Sequence, residues 1–117
     1  MPITMRPSQA LRLWQQVVLA EVQDAAAPDL TTRQMAILLT VYLDHPPHTV
    51  RGLAARLGVT KPVITRALDT MGAMKLVSRH RDPLDRRNVL VKRTVEGALY
   101  VERLGDVIIA RAAELPI

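Results

Sequence analysis

Two groups of residues in this 117-residue sequence carry chemistry suited to a polyanion. The first lies in residues 50–69, VRGLAARLGVTKPVITRALD. At 100° per residue, Ile64, Leu68 and Met71 share one side of a helix. Pro62, Thr65, Arg66 and Asp69 gather within about 100° of one another on the other side. Arg can bind guanine bidentately and a Thr methyl can meet thymine, so Thr65 and Arg66 suit base edges. Lys61 and the helix N-terminus behind Thr60 suit phosphate oxygens. Asp69 is the misfit, because a carboxylate on that face repels phosphates unless it is paired. The second group is Arg79, Arg81, Arg86 and Arg87, crowded around the turn Asp82-Pro83-Leu84-Asp85.

The elements that must hold these residues are legible from the punctuation. Ser8 is expected to cap a first helix over 8–26, ended before Pro28. Thr31-x-x-Gln34 forms a capping box ahead of the apolar run 35–43, which reads as a buried helix. Asp44-His45-Pro46-Pro47 stops it. Thr49 caps a short helix over 50–57, and Gly58 takes the left-handed position at its end. Thr60 caps the next helix over 61–74, with Pro62 harmless in its first turn. Residues 76–81 and 89–93 predict two strands joined by a turn. Thr94 caps a last helix over 95–115.

Small Ala54, flexible Gly58 and the aliphatics Leu53, Leu57, Val59, Ile64 and Leu68 are what two short, steeply crossing helices need. They fit a helix-turn-helix, although an ordinary corner between two helices uses similar residues. A hairpin placed directly after it gives the winged-helix order. The fold class is therefore mainly α with a small β-hairpin, a winged helix-turn-helix flanked by N- and C-terminal helices. The length fits one domain over 1–117 with a core over 31–94.

Charge follows the same map. Residues 48–97 carry eleven basic and four acidic side chains, net +7, whereas 1–47 and 98–117 are each net −1. A solvated face can carry such a cluster, but the motifs inside it point to a polyanion. Other classes fall away. With no Cys, disulfides, thiolate metal sites and cysteine nucleophiles are excluded. Aromatics at 3% leave few stacking platforms for single strands. The longest uncharged run, residues 34–43, is too short for a bilayer, and the N-terminus has no apolar signal region. His45, His48 and His80 lack a ligand cluster, and neither Ser8 nor Ser78 sits in a nucleophile elbow. No metal, cofactor or enzyme activity is expected.

At these residues the chain resembles the MarR family of bacterial transcription regulators. Residues 31–97 carry the likeness, through Leu53-Ala54-x-x-Leu57-Gly58-Val59, Arg66-x-x-Asp69, and Arg81-Asp82-Pro83-x-Asp85-Arg86-Arg87-x-Val89-x-Val91-x-x-Thr94-x-x-Gly97. The resemblance implies sequence-specific binding of double-stranded DNA, most simply as a repressor in the cytoplasm at the nucleoid. The helix over 61–74 would enter the major groove, and Arg86 at the wing tip the minor groove. It also implies that Arg87 pairs with Asp69, removing the misfit. The DNA-binding set is then Thr60, Lys61, Pro62, Thr65, Arg66, Arg79, Arg81, Arg86 and Arg87.

Three departures qualify the likeness. Lys75 stands where the family has Gly, so the recognition helix is expected to end in a strained or different way. Arg93 replaces the usual Leu, alternates with Val89 and Val91, and must snorkel or find a carboxylate. The terminal helices are short of the family's full set, so its dimer surface is expected to be reduced or rebuilt. A homodimer is still expected, since a monomer making about four or five phosphate contacts binds weakly at physiological salt. Leu11, Trp14 and Val18 from the first helix and Leu104, Ile108 and Ala112 from the last offer the surface, unless both helices simply pack on the core. A small-molecule effector fits the family, but no pocket for it is legible. The other reading is a winged-helix module that meets protein, such as a full-length regulator, through the same hairpin.

Overall fold

The structure, a computed structural model, describes residues 4–116; residues 1–3 and 117 of the expected 1–117 domain lie outside the described residues. Its elements run α1 (Pro7–Gln23), α2 (Thr32–Leu43), β1 (His48–Thr49), α3 (Val50–Leu57), α4 (Lys61–Ala73), β2 (Val77–Arg81), β3 (Val89–Arg93) and α5 (Val95–Ala113). The described chain divides into two compact units, one of residues 30–101 and one of residues 4–29 with 102–116.

The 30–101 unit holds the winged helix. Its α2 starts at the expected capping box: the Thr31 hydroxyl accepts from the Gln34 N–H at 3.1 Å, and the Gln34 side chain accepts from the Thr31 N–H at 2.9 Å. Thr49 caps α3 by accepting from the Gly52 N–H at 2.9 Å. Gly58 closes α3 at φ 70°, ψ 35°, the left-handed conformation that costs glycine little. Thr60 occupies the N-cap of α4, but its hydroxyl makes no capping bond, which corrects the expectation. Ile37, Leu38, Val41, Leu53, Ile64, Leu68 and Met71 are almost fully buried and form the core with Val77 and Val91 from the sheet.

The sheet has three strands, in order β1-β3-β2, where the sequence predicted two. β1 is only His48–Thr49, pairing antiparallel with Val91 and Leu90. Two residues after a Pro-Pro stop, the second of them the cap of α3, give no alternation to read, so β1 is silent in the sequence. β2 and β3 pair from Val77↔Arg93 to Arg81↔Val89. Arg79 therefore shares a face with buried Val77, and Arg93 with buried Val91.

In the other unit, α1 starts earlier than expected, with its N-cap two residues upstream. Arg6, not Ser8, is the N-cap; Pro7 takes the first helical position, and the Gln9 side chain accepts from the Arg6 N–H at 2.9 Å. The helix stops at Gln23 rather than near 26, because the Asp24 carboxylate accepts from the Ala26 N–H at 3.0 Å and turns the chain. Leu11, Trp14 and Val18 are exposed at 69%, 61% and 39%. Ile108 and Ala112 are exposed as well, but Leu104 is buried within the chain, so it does not belong to an available face.

Candidate nucleic-acid interface

Burial divides α4 as its periodicity predicts. Ile64, Ala67, Leu68 and Met71 are buried, whereas Lys61, Pro62, Thr65, Arg66 and Asp69 are exposed. The exposed set needs a helix of fixed rotation, and the apolar knot with α3 supplies it. Arg66 lies back along its helix, with Nε 3.5 Å from the Pro62 carbonyl, too long a contact to hold it firmly.

The wing is ordered by its own acidic residues. The Asp82 carboxylate accepts from the Leu84 N–H at 2.9 Å. Across the loop, the Asp82 N–H meets the Asn88 carbonyl at 3.0 Å, and the Asn88 N–H meets the Asp85 carbonyl at 2.9 Å. Arg81 donates to the Arg86 carbonyl at 2.8 Å, which ties the strand to the loop. The Arg86 guanidinium is exposed and makes no ion pair or hydrogen bond among the described residues. Its neighbour Arg87 donates to Asp85 through its backbone N–H, Nε and Nη2 at 3.1, 3.1 and 3.2 Å. Those bonds hold the Asp85 carboxyl below its ordinary range, the side chain of Arg87 contributing most, with a further pull from the charge of Arg51.

The expected Asp69–Arg87 pair is not formed. Asp69 instead meets Arg79, with Nη2 2.7 Å from Oδ1. The misfit is removed as anticipated, by a different arginine. The reason is reach: Arg79 stands on the helix-facing side of β2, whereas Arg87 finds Asp85 two residues away and loses little chain entropy in binding it. Arg79 is thereby committed to a carboxylate rather than left free.

Arg51, Lys61, Thr65, Arg79, Arg87 and Asn88 line one cleft of about 240 Å³ between the start of α3, the start of α4 and the wing. It brings together four of the predicted residues, Lys61, Thr65, Arg79 and Arg87. Arg66 and Arg86 are not in its lining. Sequence reading missed Arg51 and Asn88. Arg51 belonged to the net +7 stretch, but nothing in its spacing tied it to the wing. The three histidines are engaged locally, His45 with the Pro46 carbonyl, His48 with the Asp44 carbonyl and His80 with the Ser78 hydroxyl. Among the described residues no helix is long and apolar enough to cross a membrane.

An exposed helix of a helix-turn-helix beside an arginine-bearing β-loop defines a winged-helix protein of the nucleic-acid-binding type. A sequence model of the MarR family matches residues 29–88, just over half of the chain, and the chain belongs to that family, whose members are transcription regulators. No curated protein sequence matches it. Among solved structures it is similar to the YusO protein from Bacillus subtilis, at 20% identity over 91% of this chain and 72% of that one, with a TM-score of 0.71. It is also similar to the PcaV transcriptional regulator from Streptomyces coelicolor, solved with its natural ligand, at 27% identity, 97% and 82% coverage and a TM-score of 0.63. The transcriptional repressor CouR, solved on a 23-mer DNA duplex, matches at 26% identity, 92% and 72% coverage and a TM-score of 0.68.

Proposed function

We propose that this protein is a sequence-specific, double-stranded DNA-binding regulator, acting as a repressor and not as an enzyme. The observation that carries it is the shared cationic cleft, in which Arg51 and Lys61 from the helix-turn-helix meet Arg79 and Arg87 from the wing. A phosphate entering there meets Arg51 and Lys61, unpaired among the described residues, with Arg79 and Arg87 held beside them by Asp69 and Asp85, and α4 then presents Thr65 and Arg66 to the major groove. Arg86, unpaired at the wing, reaches the flanking minor groove. Family membership and the DNA-bound state of CouR support the same reading. On this reading the protein works at the nucleoid, in the cytoplasm, where a duplex partner is found.

Two copies act together. Leu11, Trp14 and Val18 of α1 and Ile108 and Ala112 of α5 leave apolar surface in water, and a two-fold pair reads two half-sites about one helical turn apart. Selection of bound fragments from a random duplex pool, with the salt dependence measured on the winner, tests both statements. The expected winner is an inverted repeat bound with a steep negative salt slope. Tight capture of a protein partner with no enrichment of any duplex would overturn the reading in favour of an interaction module.

A further inference from the structure

Both feet of the wing meet at one hydroxyl. Leu76 directly precedes β2 and Thr94 directly follows β3. The Tyr42 hydroxyl, at the end of α2, donates to the Leu76 carbonyl at 2.7 Å and accepts from the Thr94 N–H at 3.0 Å. The Thr94 carbonyl lies 3.3 Å from the same oxygen. The Thr94 hydroxyl in turn donates to the Lys75 carbonyl at 2.7 Å and accepts from the Gly97 N–H at 2.9 Å. Gly97 is what lets α5 come this close, since a Cβ there would collide with the Tyr42 hydroxyl and the Leu76 carbonyl. Arg93 locks the tyrosine from above. Its Cζ stands 5.8 Å from the ring centroid, while Nε and Nη2 donate to the carbonyls of Val41 in α2 and of the C-cap Asp44 at 2.8 and 3.1 Å.

We propose that the Tyr42 hydroxyl is a positioning group that, at the feet, fixes the inclination of the wing to α4 together with the Asp69–Arg79 pair further along β2. A hydrophobic core needs a ring at this place, not an oxygen; the oxygen is bonded only to the wing's two feet. The leverage is large. Each strand has five residues, so it extends about 17 Å at about 3.3 Å per residue. A tilt of about 10° at the feet then moves the tip by about 3 Å, a full hydrogen-bond length. The consequence for DNA rests on the duplex-binding reading above, whereas the consequence for wing position does not.

The absence of cysteine makes a direct test available. One spin-label pair, Leu84→Cys with Ala73→Cys, reads the wing against α4. A second pair, Ala55→Cys with Ala73→Cys, reads α3 against α4; all three sites are exposed. In Tyr42→Phe the first distance distribution is expected to shift or broaden by about 3 Å, from the lever arm above, and the second to stay fixed. Ile37→Val, a core change away from the feet, controls for general loosening. Unchanged wing distances in Tyr42→Phe, or equal broadening in Ile37→Val, would overturn the proposal. If Tyr42→Phe does not fold, hydrogen exchange in the wild-type chain decides: the Thr94 amide is expected to be protected like the amides between β2 and β3, and fast exchange there would overturn the proposal. On the selected duplex, Tyr42→Phe should bind about tenfold more weakly, with the salt slope reduced by about one phosphate. Failure of the wild-type chain to bind any duplex would sink the DNA reading and leave the distance measurement to decide the role of Tyr42.

Discussion

Asp69 of α4 and Arg79 of β2 form an ion pair of 2.7 Å that joins the recognition helix to the wing. Asp69 is the one carboxylate on the exposed face of α4, and the pair cancels its repulsion of phosphate. It also spends a wing arginine on the protein's own geometry. Both side chains keep much solvent contact, 35% for Arg79 and 58% for Asp69. The pair therefore sets orientation and adds little to stability.

Asp69→Asn should change the unfolding free energy by less than about 1 kcal/mol. Its effect on DNA should be larger and of opposite sign to a simple loss. Releasing Arg79 adds a free cation, so affinity for arbitrary duplex rises and the salt slope steepens by about one phosphate. Denaturant unfolding and binding isotherms at several salt concentrations check both. Uniformly weaker binding would show that the pair's geometry outweighs its charge.

Arg86 and Arg66 should fail in different ways. Arg86→Ala is expected to weaken binding on all duplexes and to flatten the salt slope by about one. Arg66→Ala should cost about 1–3 kcal/mol on the selected site and little on random DNA. Wild-type slope in the first variant, or wild-type discrimination in the second, removes the role assigned to that residue.

Asp85 ties wing order to pH. Hydrogen bonds from the Arg87 side chain, then from its backbone, depress the Asp85 carboxyl in the folded chain. A group whose folded value lies below its unfolded value stabilises the fold above the unfolded value. That contribution is lost as pH falls through the folded value. The wing loop should thus stay ordered through neutral and mildly acidic pH and loosen only below the ordinary aspartate range. A carbon-detected NMR titration of Asp85 should show a low midpoint that returns toward normal in Arg87→Ala. An ordinary midpoint in the wild-type chain contradicts the bonded loop.

Lys75 sits at φ 62°, the one non-glycine residue with positive φ among those described. The expectation of a strained helix end is met there. Left-handed backbone costs an L-residue roughly 1–2 kcal/mol, part of which glycine gives back through its freer unfolded chain. Lys75→Gly should therefore raise stability by about 0–1 kcal/mol. A clear loss in a denaturant melt would mean that the lysine side chain makes a contribution of its own.

Three caps and the buried side of α4 were readable because they depend on neighbours a few residues away. Thr31 with Gln34, Thr49 with Gly52 and Thr94 with Gly97 all appear as bonds in the structure. Arg93 shows where such reading stops. Its alternation with Val89 and Val91 put it on the core side, as found, but the partner proved to be two carbonyls at the end of α2 rather than a carboxylate. Backbone acceptors are present at every residue, so composition cannot reveal which of them a tertiary contact leaves open.

The sequence alone determined the order of the helices, the caps at Thr31, Thr49 and Thr94, the rotation of α4 and the concentration of positive charge in one stretch, because periodicity and capping are local. Only the tertiary structure decided that Asp69 takes Arg79 while Arg87 takes Asp85, that a two-residue strand completes the sheet, and that Tyr42 gathers the feet of the wing. Such choices are settled by distance and direction in space. Several arginines of identical chemistry compete for few carboxylates, and the sheet register determines which of them arrives.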